Sequence, residues 1–182
     1  MLTSPWPSGH LNFLIIFAII CLFLINANPL CAQTPQDALD ALKKLQARCT
    51  VGISYADYCR ELGDALHRVD RFIESPAGRK STQLSGHLKK AFGHYLMAQS
   101  LWKVKFHAED RYLQAGLYPV DDAFMQEAMK IYPKLRSKIQ TSPAYHAPPI
   151  HISSSRYIDL PDILSVIWNE AARQIQLAET FL

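Results

Sequence analysis

Residues 75 to 106 carry six cations, Arg79, Lys80, Lys89, Lys90, Lys103 and Lys105, and not one Asp or Glu. A stretch of one sign can hold an anionic partner: phospholipid headgroups, an envelope polysaccharide or the acidic face of another protein. The same charges have a plainer use, pairing with Asp57, Glu61, Asp64, Asp70 or Glu74 on neighbouring helices, for the small gain typical of exposed ion pairs. His87 and His94 offer a second chemistry, ligation of a metal or haem. They stand seven apart in the same segment, about 10 Å along a helix, so one ion would need a third ligand from elsewhere. His146 and His151 fall in a proline-rich stretch that could also serve a metal. Cys49 and Cys59 are candidates for a disulfide, which over so short a loop would stabilise by roughly 2–3 kcal/mol; the alternative is two thiols packed as small apolar residues.

Several chemistries have no motif here. There is no CxxCH for covalent haem and no Glu-x-x-His pair for a di-iron bundle. Nor is there HExxH, GxSxG, a P-loop or a paired-glycine fingerprint. No catalytic residue and no cofactor is therefore assigned. A formal charge of +3 is too small to indicate a polyanion by itself, and nucleic acid is not expected as a partner.

The elements that must position these residues are helices. Leu84, Leu88, Phe92, Tyr95, Gln99, Trp102 and Phe106 recur at three- and four-residue spacing, one face of a long helix. His87 and His94 border that face. Upstream, Thr34-Pro35-Gln36-Asp37 reads as a helix start, followed by the stripe Ala38, Leu42, Leu45 and Cys49. Gly52 turns the chain, and Ser54-Tyr55-Ala56-Asp57 resembles a capping box with Asp in place of Glu. Tyr55, Tyr58, Leu62, Leu66, Val69 and Phe72 make the next stripe, which stops before Ser75-Pro76. Gly78 to Thr82 reads as a polar loop. Downstream, Asp121 or Asp122 caps a shorter helix carrying Phe124, Ala128, Ile131 and Leu135, bent or stopped near Pro133. Residues 142–155 form a proline-rich loop, with a weak strand signal around Ile150 to Ile158. The last helix starts at Asp159 to Pro161 and buries Ile163, Ile167, Trp168, Ala171, Ile175 and Ala178. The expected fold is all-α, a bundle of four long helices with a shorter one inserted.

Phe13 to Ile25 is an unbroken apolar run of 13 residues. That length suits the core of a secretory signal and falls short of the ~20 residues that span a bilayer. Residues 1–32 are thus expected to be a signal peptide, cleaved after Ala32, with residues 33–182 as the helical domain. Two features fit imperfectly, since residues 1–32 contain no Lys or Arg and Leu30 is large for the minus-three position. The alternative is an uncleaved anchor in the inner membrane over residues 11–30. Export would leave Cys49 and Cys59 as an even pair in a compartment where disulfides persist.

The segments LDALKKLQARCTVGISYADYCRELGDAL, HYLMAQSLWKVKF and IWNEAARQIQLAE resemble a group of small exported bacterial helical proteins that carry no assigned activity. The resemblance supplies no catalytic residues, and the export segment sets the expected location as periplasmic or cell-envelope. The partner that follows is an envelope protein, a lipid or a polysaccharide, with membrane contact if the N-terminal segment is retained.

Overall fold

The computed structural model describes residues 34–109, 111–141 and 156–182, and residues 33–182 form a compact unit by themselves. Residues 1–32, expected to direct export, and the proline-rich residues 142–155, with His146 and His151, lie outside the described residues. Of the described residues, 80% are helical.

Helix α1, Pro35–Val51, starts where its capping residues require. Thr34 Oγ1 accepts from the Asp37 amide at 3.1 Å, and the Asp37 carboxylate accepts from the Thr34 amide at 2.9 Å. These reciprocal bonds satisfy two amides that the first turn would leave open, and the Thr34 bonds hold the Asp37 carboxyl below its ordinary range. Ala38, Leu42, Leu45 and Cys49 are buried as the spacing predicts. Gly52 ends the helix at φ +107°, a backbone that side chains rarely adopt.

Helix α2, Tyr55–Glu74, is capped by Ser54, whose Oγ accepts from the Asp57 amide. Tyr58, Leu62, Val69 and Phe72 are buried, but Leu66 is 38% exposed and Ala65 takes the inner position. The expected loop after α2 is largely a second, short helix, α3, Pro76–Lys80. Ser75 makes this corner: its Oγ donates to the Phe72 carbonyl at 2.6 Å and accepts from the Gly78 amide at 3.0 Å. One residue thus closes α2 and caps α3. Gly78 is required there because a Cβ would sit 2.1 Å from the Phe72 carbonyl oxygen.

Helix α4, Thr82–His107, is the longest, with 26 residues. Leu84, Leu88, Phe92 and Tyr95 are buried together with Ala91, Ala98 and Leu101. Gln99 and Trp102 are half-buried. Phe106, expected to complete the stripe, is 57% exposed and lies against the Tyr55 ring at 5.0 Å between centroids. Helix α7, Leu160–Glu179, packs on α4 more extensively than any other element and buries Ile163, Ile167, Ala171, Ile175 and Ala178. Trp168 is only half-buried.

Between α4 and α7 come α5, Arg111–Ala115, and α6, Ala123–Ile131, together with a 3₁₀ turn, Pro133–Lys138. A small antiparallel sheet, absent from the all-α expectation, joins them: β1, Leu117–Pro119; β2, Gln140–Thr141; and β3, Arg156–Asp159, in the order β1-β3-β2. Its paired residues Tyr118 and Ile158 are both buried, which fixes the sheet against the helices. Tyr118 also donates to the Leu101 carbonyl at 2.6 Å.

The stripe expected on α6 is out of phase. Asp122 accepts from the amides of Phe124 and Met125 and so starts the helix at Ala123. In that phase Met125, Ala128 and Met129 face inward, while Phe124 and Ile131 are exposed. Pro133 stops α6, and the 3₁₀ turn returns Leu135 to the core. Among the described residues no helix is long and apolar enough to cross a membrane.

Candidate functional site

The six cations of the acid-free segment do not lie on one face. Arg79 and Lys80 are exposed in the last turn of α3, and Lys89, Lys90 and Lys103 are exposed on α4. Lys105 is half-buried on another side of α4, where its side chain runs beside Gly116 next to Leu160. The cations at the ends of α3 and α4 also meet the partial negative charge of those helix termini.

None of the six pairs with an acid among the described residues, although other cations do. Lys44 and Arg48 reach Glu61 at 2.7 and 4.0 Å, Arg60 reaches Asp57 at 2.7 Å, Lys43 pairs with Glu179, and Lys138 reaches Asp162 at 3.0 Å. Asp57 and Glu61, two of the acids available to neutralise the basic segment, are therefore used by cations of α1 and α2. Ser54 and Arg60 hold the Asp57 carboxyl below its ordinary range. The α1–α2 side is a groove of about 260 Å³ whose charged lining includes Asp37, Asp40, Glu61 and Asp64 with Lys44 and Arg68.

The two histidines have separate partners on the α7 side of α4. His87 Nδ1 lies 2.9 Å from Gln174 Oε1, and its ring stacks on Phe181 at 5.5 Å. His94 Nδ1 lies 2.7 Å from Tyr132 Oη. Half-burial lowers the His94 pKa, the Glu170 carboxylate opposes that shift and Arg173 adds to it. Burial pushes the Tyr132 phenol up to about 12, so at neutral pH two uncharged groups share this bond. Among the described residues no group of three or more His, Cys, Asp or Glu converges as metal ligands. Among the described residues no third ligand stands beside His87 or His94.

His94 instead forms part of the wall of a cleft of about 420 Å³ between the 3₁₀ turn and α7. Lys134, Lys138, Glu170 and Arg173 also line it. Arg173 holds Glu170 through Nε at 2.9 and 3.1 Å, and Lys138 is held by Asp162, while Lys134 has no acid partner among the described residues. Hydrogen bonding from Arg173 lowers the Glu170 pKa. Glu170 with Arg173 on α7 and Lys134 with Lys138 in the 3₁₀ turn are local pairs, but their meeting with each other and with His94 depends on long-range packing.

Cys49 and Cys59 are free thiols, so of the two alternatives the candidate bridge is not made. Glu61 turns toward α1, where it meets Lys44. Cys59, two residues earlier, lies about 200° from it around the helix. Its sulfur instead accepts from Gln99 Nε2 of α4 at 3.2 Å. Cys49 is buried in the core, which pushes its thiol up to about 12.

Near the centre, Tyr58 Oη donates to the Tyr95 carbonyl at 2.8 Å and accepts from Trp168 Nε1 at 3.4 Å. Its ring lies 5.6 Å from Trp102 and 5.9 Å from Trp168. Burial raises the Tyr58 pKa. This cluster binds α2, α4 and α7 together and is used up in packing. Comparison with protein-family models, curated proteins and solved structures finds no match, so the functional reading rests on these residues alone.

Proposed function

We propose that the protein is an exported, non-catalytic binding component of the cell envelope. In this reading four long helices form a bundle that presents Arg79, Lys80, Lys89, Lys90 and Lys103 to an anionic partner, while Lys105 lies on another side of α4 and takes no part. The observation that carries it is the lack of any ion pair to these cations among the described residues, where Lys44, Arg60 and Lys138 each find an acid. Unpaired charge of one sign leaves a field that an anion can satisfy. Export rests on the apolar run Phe13 to Ile25 and agrees with the resemblance to small exported helical proteins.

The test is capture by immobilised dextran sulfate. Changing Lys89→Glu and Lys90→Glu together should abolish capture at low salt and leave the helical circular dichroism intact. Unchanged capture would sink the proposal.

The His94 cleft favours a second reading, a carrier of a small anionic molecule held by Lys134. A native mass spectrum of the protein from its own host decides it: extra mass that disappears in His94→Ala and Lys134→Ala would put the carrier first.

A further inference from the structure

We infer that the anionic partner of the basic surface is a phospholipid bilayer containing acidic headgroups, met by the outer edge of α4. The inference rests on the reading above and adds what the lysines alone do not specify. Lys89, Leu96 and Lys103 recur at seven-residue intervals, two helical turns, and so stack in one line along α4. All three are exposed, with Leu96 at 41%. Val104 and Phe106 flank the end of this line and are also exposed.

The edge of α2 beside it continues the apolar character. Leu66 lies on the same stripe of α2 as Tyr55 and Cys59, the residues that touch Phe106 and Gln99 of α4. It too is exposed. Tyr55 and Trp102, half-buried with ring centroids 5.6 Å apart, stand behind Phe106. Aromatic rings with a polar edge favour the headgroup level of a membrane.

A bilayer surface matches both halves of this pattern. Lysine ammonium groups meet phosphates while their alkyl stems, Leu96 and Phe106 on the α2 side of the line enter the headgroup layer. A charged polysaccharide would satisfy the lysines but would draw little from the exposed Leu96 in their line and Phe106 beside it, whereas a bilayer takes up both over the whole length of the helix edge. The absence of Asp and Glu from Ser75 to Ala108 removes repulsion from an acidic membrane along the whole of α3 and α4.

The experiment uses residues 33–182, a compact unit whose described core residues run from Ala38 to Ala178. A cooperative thermal melt establishes that the unit is folded, and flotation then measures its binding to phosphatidylglycerol–phosphatidylcholine vesicles and to phosphatidylcholine alone. Dextran sulfate serves as a lipid-free polyanion. Binding should require phosphatidylglycerol. Lys89→Glu with Lys103→Glu should weaken vesicle binding about tenfold or more and weaken dextran sulfate binding as well. Leu96→Ser with Phe106→Ser should weaken vesicle binding roughly fivefold and leave dextran sulfate binding unchanged. Capture by dextran sulfate without vesicle binding overturns the lipid inference and leaves the basic surface standing. Vesicle binding that ignores Leu96 and Phe106 also overturns it. Binding to neither probe defeats this inference and the proposed function together.

Discussion

The α1–α2 pair and α4 handle charge in opposite ways. The first pair carries acids as well as bases, and Glu61, only 6% exposed, is turned to Lys44 and Arg48. Helix α4 has cations and no acid, so its charge faces solvent unanswered. Charge on α1 and α2 belongs to the internal stability of the unit, where removing a partner leaves an ion behind. Charge on α4 has no acid partner among the described residues, so apart from the helix-terminus interaction of Lys105 it is available for an outside partner.

The largest test of this contrast is at the corner where the two regions join. Gly78→Ala places a methyl group against the Phe72 carbonyl. The clash should cost about 2–3 kcal/mol, more than the gain of up to about 1 kcal/mol from replacing glycine in a helix. Denaturant unfolding measures it; a neutral result would mean that α3 moves freely and that the corner does not hold the regions in place.

A smaller effect compares the two kinds of charge directly. Glu61→Gln should lower stability by about 1–2 kcal/mol, with Lys44 and Arg48 limiting the loss because both reach water. Lys89→Gln should change stability by less than about 0.5 kcal/mol. Equal losses in urea titrations of the two variants would erase the distinction.

The smallest effect is local and depends on pH. Asp37 and Asp57 have pKa values lowered in the folded protein, first by hydrogen bonds from Thr34 and Ser54 respectively. Their contribution is present above the ordinary aspartate value of 3.8 and is lost as pH falls through the lowered value of the folded state. Amide exchange should therefore quicken in the first turns of α1 and α2 on acidification. The first turn of α4 contains no acid, so its exchange should respond less; parallel loosening of all three would contradict the assignment.

Much of this was legible in the chain, for local reasons. Caps at Thr34 and Ser54 act over three residues, and the stripes of α1 and α7 repeat over many turns, so short-range pattern and final packing agree. The errors fall where a single bond sets the phase. Asp122 starts α6 at a point that turns Phe124 outward, and the double use of Ser75 makes a helix where Gly78 suggested a loop. The pairing of Tyr118 with Ile158 and the meeting of His94 with Lys134 and Arg173 depend on separations that no local pattern carries. Conversely, the basic segment was visible at once, but only the ion pairs showed that Glu61 and Asp57 were already engaged elsewhere.

The aromatic cluster around Tyr58 gives the protein its own optical gauge. Residues 33–182 contain two tryptophans, Trp102 and Trp168, one on α4 and one on α7, with ring centroids 6.1 Å apart and planes inclined by 57°. Indoles that close and that inclined couple their strong far-ultraviolet transitions, giving a paired positive and negative circular dichroism band that neither ring produces alone. That signal exists only while α7 is seated on α4, so assembly of these two helices can be followed in time without attaching a dye.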